Sequence, residues 1–121
     1  MNRRNSDKHE FRHRLSEYRI MWVLVFFDLP TETPLERKIH SLFRKSLLKD
    51  GFSRMQLSIY MRHCASIENA EVHTKRVESF IPAKGMVSVM VITDKQFGMI
   101  KTFVGRKVKN TRESPPQLEM F

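Results

Sequence analysis

An α+β fold is predicted by three observations on this 121-residue chain: a wholly apolar run at Ile20–Phe27, two amphipathic helical stretches downstream, and further short apolar or alternating segments around them. The length allows one core and no second independent one, which excludes two-domain enzymes. With 40% hydrophobic and 10% aromatic residues the chain can fill that core and is too apolar for wholesale disorder. Its single cysteine, Cys64, has no internal disulfide partner, and no paired zinc-ligand spacing is present.

The elements follow in order. Residues 1–19 carry six basic groups against three acids and little that can pack, so they form a basic arm. The run Ile20 to Phe27 is β-branched and aromatic without polar alternation, as in a strand buried on both faces, and it stops at Asp28-Leu29-Pro30. Thr33, Pro34 and Glu36 then supply an N-cap, an N1 proline and a capping-box acid. On the helix that starts there, Leu35, Ile39, Leu42, Phe43, Ser46 and Leu47 share one side, while Arg37, Lys38, Arg44, Lys45 and Lys49 share the other. Gly51 ends it. Phe52 to Met61 alternates as one half-buried strand, with Met55, Leu57, Ile59 and Met61 opposite Arg54, Gln56, Ser58 and Tyr60. Ser66 caps a second helix to about Ile81, with Ile67, Ala70, Val77, Phe80 and Ile81 inside, and Pro82 and Gly85 stop it.

A third strand is predicted at Met86–Ile92, a shorter one around Ile100–Val104, and one more at Gln117–Phe121. These elements are assigned to the β-α-β-β-α-β order of the ferredoxin-like fold, an antiparallel sheet with two helices on one face. Three regions result: the arm 1–19, a ferredoxin-like domain 20–105, and a tail 106–121. Helices cover only one face of such a sheet, yet the first and third strands, expected at its centre, are apolar on both faces. A second copy packed sheet against sheet about a two-fold axis solves this, so a homodimer is expected.

The longest apolar run falls far short of the roughly 20 residues that span a bilayer, and no signal-peptide pattern surrounds it, so no membrane association and a cytoplasmic location are expected. The balance of 22 Lys and Arg against 13 Asp and Glu, net +9, directs attention to polyanions, nucleic acid first. The basic groups fall into three sets: the arm, the outer face of the first helix, and Lys95–Arg112, which contains no acid. Together they suit sequence-independent, salt-sensitive phosphate contacts. The aromatic RNA-reading signature of another ferredoxin-like class is missing from the third strand, so base stacking is not expected.

Asp28, at the carboxyl end of the first strand, admits two readings. It is a turn-forming residue before Leu29 and Pro30. Alternatively, two copies facing each other across a dimer axis form a pair of oxygen ligands for Mg²⁺ or another divalent cation, which takes one or two carboxylates plus substrate phosphate. Arg54, Gln56 and Ser58 face either solvent, a partner copy or phosphates. His63 and Cys64 point to opposite faces of a strand, against a thiol or zinc site. His73, on the apolar side of the second helix, reads as a packed, hydrogen-bonded histidine, and His40 is uninformative.

The segment Met21–Asp28, the helix after it, and Gly51-Phe-Ser-Arg-Met-Gln-Leu-Ser-Ile-Tyr60 resemble the second CRISPR-associated protein, a family of small spacer-acquisition endonucleases. The likeness extends through Met86–Ile92, Phe97 and Phe103-Val-Gly105 to Gln117–Phe121. The basic extension and Trp22–Pro30 suggest the branch found beside a single large effector nuclease (type II). The resemblance implies a ferredoxin-like homodimer in which each chain end adds a strand to the partner's sheet, and a cation held at the Asp28 position. It also implies partnership with the CRISPR integrase, holding short duplex DNA for spacer insertion, and metal-dependent cleavage of RNA or DNA. The acid often found shortly after the strand-end Asp is replaced here by Leu29 and Pro30, leaving Glu32 as a distant substitute. Asp28 is accordingly the expected catalytic and metal-binding residue of an endonuclease. Arg37, Arg44, Arg54, Arg106, Lys107 and Lys109 are the expected nucleic-acid contacts. The alternatives are a non-catalytic DNA-binding scaffold and a stand-alone, toxin-like ribonuclease.

Overall fold

Met21–Asp28 forms β1, which carries no polar alternation because it is hydrogen-bonded on both sides and packed on both faces. The computed structural model describes residues 20–105; the arm 1–19 and the tail 106–121, with the strand expected at Gln117–Phe121, lie outside the described residues. Along β1, Met21, Val23, Val25 and Phe27 enter the core cluster with the helices, while Trp22, Leu24, Phe26 and Asp28 alternate onto the other face.

Helix α1, Pro34–Lys49, begins at the predicted capping box: Thr33 Oγ1 accepts from the Glu36 amide at 3.1 Å, and Glu36 Oε1 accepts from the Thr33 amide at 3.0 Å. It ends in a Schellman motif, with the Gly51 amide donating to Leu48 O and the Phe52 amide to Leu47 O, both at 3.0 Å. Gly51 has φ +92°, where glycine is strongly favoured. The helix is rotated from the predicted orientation. Phe43 and Leu47 are buried and His40 packs edge-on to Phe27, whereas Leu35, Ile39 and Leu42 are exposed. The line Glu36–His40–Phe43–Leu47 faces the sheet because Glu36 is held inward by the cap and His40 by Phe27.

The alternating segment after Gly51 is two strands, β2 (Ser53–Gln56) and β3 (Ile59–Cys64), joined by a tight turn at Leu57 and Ser58. A two-residue reversal puts the alternation out of step, and a bulge between Arg54 and Gln56 restores it. The period-2 pattern therefore runs through the hairpin as though it were one strand. Helix α2, Ile67–Ser79, is capped by Ser66 and buries Ala70, His73 and Val77, while Ile81, expected inside, lies beyond its end and is exposed. β4 is Met86–Thr93, and α3, Asp94–Gly98, follows at once from a capping box of Thr93 and Gln96. Ile100–Val104, expected as a strand, forms none, and Phe103 and Val104 are exposed there.

The antiparallel sheet runs β2-β3-β1-β4, the ferredoxin-like β-α-β-β-α-β arrangement. Its centre is β1 and β3; Met86–Thr93, expected there, stands at the edge of the sheet that the described residues form. Both α1 and α2 pack on one face. The other face carries Leu24, Phe26, Ile59, Met61, Met86 and Met90, with Met86 71% exposed. At the start of β1 this face is closed by α3: Phe97 stacks on Trp22 at 3.9 Å, and Trp22 Nε1 donates to Asp94 Oδ1 at 2.7 Å. The open apolar area therefore lies toward the Asp28 end. No described helix is long and apolar enough to cross a membrane.

Cys64 is 1% exposed, and burial pushes its thiol above the ordinary value. Reaction of a thiol reagent with native protein is therefore expected to proceed only at the rate of unfolding; rapid labelling of folded protein refutes this.

Candidate functional site

Asp28 is the last residue of β1 and pairs with Met86 of β4. Its side chain is on the helix-free face, in step with Trp22, Leu24 and Phe26, and is exposed. Two loops flank it. The β2–β3 turn is tied to the strand by the Phe27 amide, which donates to Ser58 O at 3.1 Å. The α2–β4 loop crosses so closely that a Cβ on Gly85 would lie 2.7 Å from Asp28 O. Among the described residues no donor engages the Asp28 carboxylate, and no group of three or more His, Cys, Asp or Glu side chains is placed to hold a metal. The described residues of one protomer therefore offer a single, accessible carboxylate here. That suits a hard cation only if a second oxygen donor comes from elsewhere, because Mg²⁺ is held by one or two carboxylates with water or phosphate completing its shell. Glu32 lies in the turn beyond the strand, where its backbone amide donates to Glu36 Oε1 and its carbonyl accepts from Arg37.

The basic candidates lie elsewhere. Arg37 Nη1 donates to Thr31 O at 3.1 Å and Glu32 O at 3.0 Å, so it braces the β1–α1 loop while remaining at the surface. Arg44 is half-buried with its Nε lacking a partner among the described residues. Burial and, second, the Arg44 charge hold the neighbouring His40 below the usual imidazole range. Arg54 stands opposite Tyr60, on the helix-bearing face of an edge strand beside α1. Arg37, Arg44 and Arg54 thus belong to the helix side and its flank, while Asp28 belongs to the opposite face. Arg106, Lys107 and Lys109 lie outside the described residues.

One polar cluster has only a partial signal in the sequence. Asp50, at the end of α1, accepts from Arg76 at 3.0 Å and pairs with His73 Nδ1 at 2.8 Å, while its backbone carbonyl accepts from Arg62 Nε at 2.8 Å. Burial raises the Asp50 carboxyl, but the His73 and Arg76 hydrogen bonds and charges overcome that and leave it below its ordinary value. His73 is packed and hydrogen-bonded, as its position on the apolar side of α2 predicts.

Comparison with known proteins supplies the family context. A profile described as CRISPR associated protein Cas2 matches residues 21–100. The chain is 61% identical over 108 residues to the CRISPR-associated endoribonuclease Cas2 of Flavobacterium psychrophilum, covering 89% of this chain and 94% of that one. It is 58% identical over 101 residues to the protein of the same name in Parvibaculum lavamentivorans, covering 84% of this chain and all of that one. Against that of Ligilactobacillus salivarius the figure is 43% over 94 residues, 78% of this chain and 93% of the relative.

Proposed function

The chain belongs to the CRISPR-associated Cas2 family, and on that basis we propose that it acts in the cytoplasm as a homodimeric, divalent-cation-dependent endonuclease that also binds duplex DNA with the CRISPR integrase during spacer insertion. The observation that carries the catalytic part is the position of Asp28, exposed at the end of β1 and on the side of the sheet that no helix covers. With α3 closing the other end of that face, a two-fold contact through Phe26, Ile59, Met86 and Met90 brings one Asp28 toward its partner copy. Two such carboxylates would hold Mg²⁺, which would supply charge neutralisation at a phosphodiester and an activated water. The protein's own part is to fix the two oxygens on rigid strand ends; Phe27, bonded to Ser58, and the close Gly85 loop prevent the strand from fraying there. The names of the relatives favour RNA as the substrate to be cut. The position of Arg37 and Arg54 away from the Asp28 face supports the scaffold role as a separate activity of the same dimer.

Asp28→Asn is expected to lower Mg²⁺-dependent cleavage of labelled single-stranded RNA at least about 100-fold. Retention of duplex affinity and integrase co-purification is expected at the same time. Unchanged cleavage removes Asp28 from the mechanism, and lost duplex binding makes one site of the two. Met90→Glu, an exposed substitution on the open face, is expected to convert the sedimenting dimer to protomers; a wild-type protein that sediments as a lone protomer at working concentration overturns the paired-carboxylate site.

A further inference from the structure

The groove beside α1, against the last turn of α2 and the α2–β4 loop, is lined by apolar side chains that the core leaves unused. Leu35, Ile39 and Leu42 fall on one line of α1, at i, i+4 and i+7, and are 66%, 38% and 51% exposed. They stand well round the helix from the buried Phe43 and Leu47. The backbones of the two helices stand apart, and the Phe43 and Phe80 rings, 5.7 Å between centroids, form the floor between them. One end of the groove opens into a pocket of about 240 Å³ lined by Leu29, Pro30, Leu35, Ile39 and Ala83, with Lys84 at its rim. The other end is a hollow of about 420 Å³ bordered by Ser46, Lys49, Arg76 and Phe80.

Charge along this groove is one-sided. Lys38, Lys45 and Lys49 form a row on α1 next to the apolar line, at i, i+7 and i+11. The two acids at the groove are occupied internally: Glu36 Oε1 accepts from the Glu32 and Thr33 amides, and both Asp50 oxygens are engaged by His73 and Arg76. A polyanion alone would leave Leu35, Ile39 and Leu42 without partners, and an apolar ligand alone would leave the lysines so.

We propose that the groove beside α1 is a docking site for an acidic amphipathic segment of a partner protein, with apolar anchors seated against Leu35, Ile39 and Leu42 and carboxylates along the Lys38–Lys45–Lys49 row. This goes beyond the endonuclease and duplex-binding reading and involves neither Asp28 nor the open sheet face. From Leu35 to Lys49 the groove spans about 21 Å, which matches a helix of about 14 residues.

The test uses the full chain and a fluorescein-labelled synthetic helix of about 14 residues, with Leu at i, i+4 and i+7 and Glu on its flanks, followed by fluorescence anisotropy. Saturable binding is expected, weakened at least tenfold by Leu42→Asp. With Lys45→Glu and Lys49→Glu together, preference is expected to switch to a probe with Lys flanks. Leu35→Asp, at the most exposed position of the line, serves if Leu42→Asp shifts the melting midpoint. Four results overturn the proposal: no saturation, wild-type affinity in both Leu42→Asp and Leu35→Asp, equal binding of the Lys-flanked probe to wild type, or a fall in sedimentation coefficient of the unliganded Leu35→Asp protein. The last would mean that a second copy covers the groove.

Discussion

Gly85→Ala is expected to destabilise the fold by about 2–4 kcal/mol, lowering the melting midpoint by more than about 10 °C, and to disturb the Asp28 site as well. Two costs coincide at this position. Gly85 has φ +94°, which L side chains adopt only with strain. In addition, an added Cβ would meet Asp28 O and Leu29 Cδ2 at 2.7 Å and Leu29 Cα at 3.1 Å. Backbone cannot swing aside as a side-chain end can, so relief requires moving the α2–β4 loop or the end of β1. Gly51→Ala is the natural comparison, because its φ is +92° but the nearest atoms belong to the Arg62 guanidinium, at 3.0 Å and beyond. Its cost should be nearer 1 kcal/mol, mostly conformational. Thermal melts of the two variants decide the matter: equal shifts would mean that the contact with Asp28 and Leu29 is relaxed at no cost.

Features legible in the sequence are those whose physics is local. The Thr33–Glu36 capping box, the Gly51 stop, the Ser66 cap and the unbroken apolar β1 each depend on residues within one turn or one strand. The β2–β3 hairpin escaped because its bulge cancels the phase shift of its turn, and because Leu57 and Ser58 carry no glycine, asparagine or proline to mark a reversal. The fourth strand comes from that hairpin and not from Ile100–Val104. Helical periodicity located α1 but not its orientation, since Leu35, Ile39 and Leu42 outweighed Glu36 and His40 in any apolar count. The true inward line depends on a cap and on a ring contact with Phe27, a residue from another element.

The site divides in the same way. Asp28 was identifiable as an acid ending an apolar strand, and strand alternation places it with Trp22, Leu24 and Phe26. What covers that face cannot be read from strand alternation. Arg37 illustrates the opposite difficulty. Its charge is plain in the sequence, while its hydrogen bonds to Thr31 O and Glu32 O follow from where the chain turns before α1.

Asp50→Ala should cost about 2–3 kcal/mol, measured by denaturant unfolding, because it leaves His73 without its acid deep in the core. With the carboxylate in place His73 is 4% exposed. Arg76 contributes less, since its side chain is 59% exposed and solvent screens the pair. Asp50→Asn keeps an acceptor and should lose roughly half as much. Acidity separates the charge from the packing. The Asp50 carboxyl lies below its ordinary value of 3.8, so the native state binds its proton less readily than the unfolded chain does. Its contribution is therefore complete above pH 3.8 and disappears as pH falls through the depressed native value. The gap between wild type and Asp50→Asn should accordingly narrow below about pH 4. If it persists undiminished in acid, Asp50 stabilises the α1–α2 corner through shape and hydrogen bonding, and the ion pair with His73 contributes nothing.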